Sequence, residues 1–308
     1  MKRFLVAGAM LCLSFSLQTV SAQYYFNNGR QYESAVTLEA GVSVGVMNCL
    51  SDLGGKKGIG KDFIKDLNWK NSRPCAGFYL AANYQYLFVV RLQGTFGSVT
   101  AYDSILKPIA ATTSGRYERN LSFKSKIADF QLALELHPLF FKNYYARDEE
   151  PPYFSPYIVV GVGYFSFDPK AKYNNQWYAL QPLRTEGQGF KEYADRKPYK
   201  LNQFNIAGGI GLKYEVSPSI NARLEVNHRF LNTDYLDDAS TGYIDPSLFY
   251  TYLPANKAAL AQRLFDRRAE VDPTHETNYG YQRGDPNDND AFFSIELKVG
   301  VTLGRQRR

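Results

Sequence analysis

The stretch that decides the fold runs from Phe292 to Gly304 and reads FFSIELKVGVTLG. Its odd-numbered residues, from Phe293 to Leu303, are all apolar, and after Phe292 its even-numbered residues are polar or small. A two-residue period is typical of a β-strand whose two faces meet different surroundings. The stretch is also longer than the roughly ten residues that a tilted strand needs to cross a bilayer.

Seven other stretches show related alternation, which makes eight candidate strands. They occupy residues 36–46, 78–84, 90–96, 129–136, 157–167, 204–216 and 220–230. The pattern is blurred in the fifth stretch, and in the fourth its phase slips near Ile127 and Ala128, which suggests a bulge. An even number of long strands is expected of a membrane barrel.

The connections between these strands differ in length. The long ones are 50–74, 168–200 and 235–290, whereas tight turns are expected near Asn83 to Tyr86 and at Ser217-Pro218-Ser219. Long loops at one end and mostly short turns at the other are the signature of an outer-membrane barrel. We therefore predict an all-β fold, an eight-stranded antiparallel transmembrane outer-membrane β-barrel with long extracellular loops and periplasmic N- and C-termini.

A soluble sandwich or a lipocalin-like barrel is the alternative, and it would turn the charged face outward. Against it, glycines cluster on the polar face, and that face carries both signs of charge at matching depth. A narrow barrel must fill its interior with side chains that satisfy one another. We expect a buried ion-pair network in the lumen formed by Glu39, Arg91, Glu135, Lys213, Glu215, Arg223, Glu225, Arg229, Glu296 and Lys298. Such a filled lumen leaves no room for an aqueous channel, so a porin is disfavoured.

Composition agrees with this class of protein. Aromatic residues make up 15% of the 308 residues, with 24 Tyr, 21 Phe and 24 Gly, which disfavours a helical bundle. Tyr84, Tyr86 and Phe88 lie where an interfacial aromatic girdle is expected. The formal net charge is only +6, which argues against a nucleic-acid partner.

The first 22 residues have the features of a secretory signal peptide. A basic start is followed by an apolar run from Phe4 to Leu17 and by the small-residue site Val20-Ser21-Ala22. We therefore divide the chain into a leader, 1–22, and a barrel domain, 23–308. Export would leave Cys49 and Cys75 in an oxidising compartment, where they could form a disulfide or stay as two thiols.

Catalytic and metal motifs are weak. The segment from Gly55 to Lys61 fits half of a phosphate-binding loop, but Asp62 replaces the hydroxyl residue that binds magnesium. The three histidines lack the spacing of a metal site, and no Gly-x-Ser-x-Gly elbow is present. We expect no enzyme activity, cofactor, metal or small-molecule substrate. An outer-membrane hydrolase built from residues at the lumen mouth is the remaining enzymatic alternative.

One long loop contains a helical pattern. Residues from Asn256 to Glu270 place Leu260 and Leu264 four residues apart, and Asn256 could cap the first turn. We expect this helix to cover the barrel mouth.

Several stretches resemble a known family. Arg119–Ser125, Pro156–Phe165 and above all Arg229–Ser240 look like the PorG family of Bacteroidota outer-membrane barrels, over roughly residues 33 to 304. The most specific part is Thr233, Asp234, Tyr235, Leu236, Asp237 and Asp238. The chain departs from the commoner barrel pattern in ending with Leu303 to Arg308 rather than with an aromatic residue.

The resemblance implies a component of the type IX secretion system. Family members are thought to tether a periplasmic ring, built from a lipoprotein and its partner protein, to the outer membrane. The family has no catalytic residues to carry over. For Thr233 to Asp238 we expect a polar cap at the outer end of the seventh strand, rather than a ligand site.

The function expected from the sequence is thus a non-enzymatic scaffold that anchors a periplasmic ring, with outer-membrane lipids as its surroundings. The connection 138–156, together with the C-terminal arginines, is the candidate docking element. Asp148, Glu149 and Glu150 are possible partner contacts, and a plain interfacial turn is the alternative for this connection. The alternative function is a surface-exposed adhesin or ligand-binding barrel that acts through its extracellular loops.

Overall fold

The structure, a computed structural model, describes residues 36–55, 67–113, 115–142, 152–275 and 279–303. This part of the chain contains ten strands. They are β1 (Val36–Leu50), β2 (Arg73–Tyr84), β3 (Phe88–Tyr102), β4 (Ser122–Leu136), β5 (Phe154–Ser166), β6 (Pro169–Tyr173), β7 (Gln176–Ala179), β8 (Asn202–Ser217), β9 (Ile220–Leu231) and β10 (Ala291–Leu303).

Eight of these strands close into a barrel. Every pairing is antiparallel, in the order β3-β2-β1-β10-β9-β8-β5-β4, and β3 pairs with β4 to complete the ring. The first and last strands meet along a register from Leu38↔Leu303 to Leu50↔Ala291. The predicted eight-stranded antiparallel barrel is therefore confirmed.

The remaining two strands form a hairpin that the alternation did not predict. β6 pairs with the end of β4 through Lys124↔Lys170, and β7 pairs with β6. The hairpin turns at Asn174 and Asn175, whose φ angles of 46° and 65° suit the tight turns that match strand twist. Strands of five and four residues are too short to show a clear period, so only the two asparagines could have indicated the hairpin.

The two ends of the barrel differ. One end, named the turn end, carries the β2–β3 turn, where Gln85 and Tyr86 have φ angles of 50° and 61°, and the β8–β9 turn at Pro218 and Ser219. The other end, named the loop end, carries the connections 51–72, 103–121, 167–201 and 232–290. The described chain also starts and finishes at the turn end, because Leu38 pairs with Leu303 there.

The outer wall of the barrel is apolar and the interior is polar. On β8, Phe204, Ile206 and Ile210 are 73%, 65% and 66% exposed, whereas Arg91 and Arg223 inside are at most 1% exposed. A soluble barrel would reverse these faces, because water would otherwise meet the apolar side chains. The surface is that of a barrel solvated by lipid, and the chain is an outer-membrane β-barrel.

Aromatic side chains mark both edges of the apolar wall. On the loop side the Phe96 ring contacts those of Phe78 and Phe130, with ring centroids 6.1 and 5.6 Å apart. On the turn side the exposed aromatics are Tyr84, Phe88, Tyr153, Phe154 and Tyr214. From Phe204 to Tyr214 the strand rises about 33 Å, or about 25 Å along the membrane normal at a 40° tilt, the height expected of such a band.

β4 is regular where a bulge was predicted. Its pairing with β3 runs without a break from Ser122 to Leu136, and its burial alternates throughout. The apparent slip has another cause. Beyond Ala128 the strand leaves the apolar band, so that Phe123 and Ile127 point inward while Lys124 and Lys126 face outward.

The long loops pack into a folded cap. Its helices are α1 (Arg116–Arg119), α2 (Leu248–Tyr252) and α3 (Ala255–Leu264), with shorter helical turns at Asp103–Thr112, Gln181–Leu183, Lys191–Tyr193 and Arg268–Glu270. Phe190, Tyr243, Phe249 and Phe265 form a buried core between the 167–201 and 232–290 segments. The predicted helix starts one residue before Asn256 and ends at Leu264, and Pro254 rather than Asn256 occupies its N-cap.

Two further helical turns are Trp69–Asn71, in the connection that leads into β2, and Pro138–Phe141, at the turn end between β4 and β5. None of the helices in the described ranges has the length and apolar character needed to cross a bilayer.

Substitutions at two glycines of β8 test how tightly side chains are packed inside the barrel. A Cβ at Gly211 would meet the ring of Tyr157, whereas at Gly208 on the outer wall its nearest neighbour is Phe230 at 3.8 Å. We expect Gly211→Val to lower the free energy of unfolding by about 1 to 3 kcal/mol, as overpacking does, and Gly208→Ala to change it little. Urea unfolding in detergent micelles measures both, and equal effects would contradict this packing.

Candidate functional site

The interior of the barrel is a continuous polar network. Arg223 joins two carboxylates, donating to Glu39 Oε2 at 2.8 Å and to Glu135 Oε2 at 2.6 Å. Arg91 contacts Glu135 and binds Glu225 through two hydrogen bonds of 2.8 and 2.9 Å. Since these groups are almost fully buried, each charge depends on its partners rather than on water.

The network continues toward the loop end. Lys298 Nζ lies 2.8 Å from Glu225 Oε1 and donates to Gln93 at 2.6 Å. Arg229 Nε lies 3.0 Å from Asp129 Oδ2, and a longer contact of 3.8 Å links Arg229 to Glu296. The ion pairs thus join neighbouring strands, as Lys298 and Glu225 do, and also cross the lumen between distant strands, as Arg229 and Asp129 do.

Nine of the ten residues predicted for the lumen lie buried inside it. The exception is Glu215, which is half-buried near the turn end, where its backbone N–H donates to Tyr153 O. The prediction omitted several neutral members and one acid. Asp129, Tyr79, Tyr157 and Gln93 all contact the network, and their inward positions in the same alternation could have identified them.

An apolar plug closes the lumen above this network. Met47, Val99, Phe123, Phe165 and Phe292 belong to one buried cluster that also includes Leu236 from the cap. The Phe165 ring stacks on that of Phe167 at 5.4 Å and contacts that of Phe292 at 5.6 Å. The strand ends and the cap therefore share one core.

The stretch from Thr233 to Asp238, on which the family resemblance rests, lies where this plug meets the cap. Leu236, Asp237 and Asp238 are at most 1% exposed, while Thr233 and Asp234 are buried and Tyr235 stacks on Tyr199 at 4.9 Å. Asp238 accepts hydrogen bonds from Thr185 and from Tyr199, both of the other long loop. The stretch thus ties the two loops together rather than facing solvent.

A second set of charges fixes the cap. Glu186 accepts from the backbone N–H groups of Ser240 and Thr241, both at 2.9 Å, and from Arg283 at 2.9 Å. Arg119 binds both oxygens of Asp103 and also donates to the carbonyls of Asp52 and Arg283. These bonds join all four long connections.

Four further carboxylates crowd at the junction of cap and barrel. Burial and the repulsion of neighbouring carboxylates raise the pKa of Asp52 to about 7 and that of Asp234 to about 9, and raise that of Asp290 well above its usual range. Burial raises the pKa of Asp237 to about 6. Asp290 accepts from the backbone of Leu236, and Asp52 from that of Asp285. We name these four residues the acid cluster.

The turn end contains a serine, a histidine and a glutamate in contact. His137 Nδ1 lies 3.0 Å from Ser155 Oγ, and Nε2 lies 3.3 Å from Glu135 Oε2. This resembles a nucleophile–base–acid chain, but Ser155 is only 3% exposed and Glu135 is already held by two arginines. The arrangement fits closure of the lumen better than attack on a substrate.

The two cysteines are free and buried. The strand register places Cys75 opposite Gly45, so Cys49 lies four residues further along β1, about 13 Å away. A disulfide needs Cα atoms within about 7 Å. The disulfide considered from the sequence is therefore not formed.

Other expected features fall partly or wholly outside the described residues. These are the leader, all but Gly55 of the phosphate-loop-like segment, Asp148, Glu149 and Glu150, and the C-terminal arginines. Within the described ranges, no group of three or more His, Cys, Asp or Glu side chains has an arrangement that could hold a metal ion.

An open cleft of about 360 Å³ lies on the cap. Pro182, Pro198 and Pro254 line it together with Arg184, Tyr252 and other residues of both long loops. Tyr252 is held by stacking on Phe190, with ring centroids 4.3 Å apart.

No established family profile and no curated protein matches the chain. Solved structures do match. Ail, the attachment invasion locus protein of Yersinia pestis, is 8% identical over 87% of this chain and 97% of its own, with a TM-score of 0.33. A major outer membrane protein from Thermus thermophilus is 11% identical over 88% and 100%, with a TM-score of 0.39. At these values no function is transferred.

Removing one lumen cation tests the network. Arg223→Met should leave Glu39 and Glu135 short of a buried partner and lower the free energy of unfolding by about 3 to 5 kcal/mol. Chemical unfolding in micelles measures this, and the half-buried Glu215→Gln serves as the control with a much smaller effect. An unchanged midpoint for Arg223→Met would contradict the network.

The acid cluster predicts a cap that loosens as pH rises. These carboxyl groups bind protons more tightly in the folded protein than in the unfolded chain. Their protonation therefore stabilises the folded cap fully below pH 4, and this stabilisation is lost progressively up to about pH 9. Hydrogen exchange of residues 232–275, corrected for intrinsic rates, should be faster at pH 9 than at pH 5. Asp234→Asn should reduce the difference, and equal protection at both pH values would contradict the prediction.

Proposed function

We propose that this protein is a non-enzymatic outer-membrane anchor that acts as a scaffold for type IX protein secretion and tethers a periplasmic ring complex. The observation that carries the anchor role is the filled interior: Arg91, Arg223 and Glu225 are almost fully buried in the lumen, and the apolar plug lies above them. A barrel filled in this way contributes surfaces rather than a path through the membrane. The ring as partner follows from the resemblance of Thr233 to Asp238.

In this proposal the turn end faces the periplasm. Short turns are typical of the periplasmic side of such barrels, and both ends of the described chain lie there. The partner surface would comprise the Pro138–Phe141 turn and the connection that follows it. Exposed Phe141 and Tyr153 supply apolar contact area, and the acidic residues Asp148, Glu149 and Glu150 supply charge.

The second candidate is recognition at the cell surface through the cap, as an adhesin or ligand-binding barrel. Two observations favour it. The 167–201 and 232–290 segments share a core, so the cap is a rigid surface, and it carries the proline-lined cleft beside Tyr252. Ligand sites are commonly preformed clefts of about this volume.

Paired charge reversals separate the two candidates. The tagged protein is recovered from native outer membranes, and its co-purifying proteins are identified by mass spectrometry. We expect Asp148→Lys with Glu149→Lys to abolish recovery of periplasmic ring proteins, because it repels a basic partner surface. Glu192→Lys with Asp195→Lys, an equal change on exposed cap residues, should leave recovery intact.

Two other results of this experiment would contradict the scaffold proposal. If only the cap variant loses its partners, the surface-recognition function is supported and the scaffold proposal is wrong. If the unaltered protein recovers no ring protein at all, the type IX role is wrong and a barrel anchor remains.

A further inference from the structure

A basic patch lies on the outer face of the sheet at the loop end. The register places Lys124 opposite Lys170 and Lys172 opposite Trp177, and Lys126 follows Lys124 by two residues on the same strand. Because side chains in a strand alternate between faces, these residues project from one face, which is the outer one. We name Lys124, Lys126, Lys170 and Lys172 the lysine patch.

The patch begins just beyond the apolar wall. Phe96 of the loop-side aromatic edge pairs with Ala128, where β4 leaves the apolar band, and Lys126 and Lys124 lie two and four residues further toward the loop end. Two and four residues rise about 7 and 13 Å along the strand, or about 5 and 10 Å along the membrane normal at a 40° tilt. Lipid headgroups begin at the edge of the hydrocarbon core and extend roughly 5 to 8 Å beyond it. Lys126 therefore lies at headgroup height, and the long flexible stem of Lys124 lets its ammonium group reach the headgroups from just above them.

The charges of the patch are mostly uncompensated. Lys170 pairs with Asp168 at 2.8 Å, but no carboxylate in the described ranges pairs with Lys124, Lys126 or Lys172. Lys124 Nζ lies 5.9 Å from the centre of the Trp177 ring, which is 42% exposed. Tryptophan is enriched at membrane interfaces, so its presence here favours contact with lipid rather than with bulk water.

Other outward positions above the aromatic edge differ from this patch. On the opposite side of the barrel, exposed Trp69 packs against Phe293, with ring centroids 6.2 Å apart. A single exposed lysine, Lys70, follows Trp69 there, whereas the β4, β6 and β7 sheet brings four lysines together on one face. A local cationic surface at headgroup height fits a discrete anionic headgroup better than a general attraction to the membrane.

We propose that the lysine patch binds the phosphate groups of a lipid in the leaflet at the loop end, with Trp177 resting on its headgroup. Lysine is a point donor that suits phosphate oxygens and tolerates varied geometry. The β6–β7 hairpin then has a role, because it extends the sheet beyond the barrel and carries half of the patch. The same lipid would hold the barrel at a fixed depth and rotation relative to its neighbours.

The test uses the full chain refolded in neutral detergent micelles and titrated with bisphosphorylated lipid A. Each lysine near an anionic lipid contributes about a fivefold change in affinity, so Lys124→Gln with Lys126→Gln should weaken binding about 25-fold. The matched control is Lys191→Gln with Lys197→Gln, exposed cap lysines outside the patch, which should bind as the unaltered protein does. Lys124→Arg with Lys126→Arg keeps the charge and should retain binding.

Several results would overturn the proposal. They are equal binding by the patch variant, equal weakening by the control, or unchanged affinity for dephosphorylated lipid A. If millimolar inorganic phosphate displaced bound lipid A as effectively as added lipid does, the patch would be a simple anion site instead. A change of gel mobility on heating shows that each variant is folded. If the double variant does not refold, the single Lys172→Gln variant tests the patch, and we expect it to weaken binding less.

Discussion

The constraint on which the structure depends is that a bilayer offers no partner to a polar group. Every inward-facing charge in this narrow barrel must be satisfied by another side chain, which is why Arg223 lies between Glu39 and Glu135, and Arg91 between Glu135 and Glu225. Such a network is not a source of much net stability, since desolvation offsets the attraction. What it supplies is a strong penalty on any slipped register, because a shift of one residue would carry these charges into lipid.

The contrast between a lipid outside and a polar lumen inside explains how much could be predicted from the sequence. Eight strands, their faces and nine lumen residues follow from alternation, because lipid and lumen impose opposite demands on neighbouring residues. The same rule predicted a false bulge near Ile127, since it assumed lipid outside along the whole strand. Beyond Ala128 the outside is no longer hydrocarbon, so apolar residues turn inward and Lys124 and Lys126 turn outward.

The cap was beyond such reasoning. Its contacts join segments far apart in the chain, such as Glu186 with Arg283 and Arg119 with Asp103, and no local period records which loops will meet. The stretch from Thr233 to Asp238 was expected as a polar cap, yet Leu236 lies in the apolar plug and Asp238 bonds to the other loop. Its acids serve the seal between cap and barrel rather than an exposed ligand site.

The shared core has a consequence for where function can reside. Because Leu236 packs with Phe165 and Phe292, the cap and the strand ends form one packed cluster, so a movement of the cap would disrupt the top of the barrel. The lumen below is filled by buried charges, each of which contacts several others. Neither part is suited to a large conformational change, and side chains of the described residues fill the interior. Binding must therefore occur at surfaces: the turn end, the exposed cap and the outer wall where lipid meets Lys124 and Lys126.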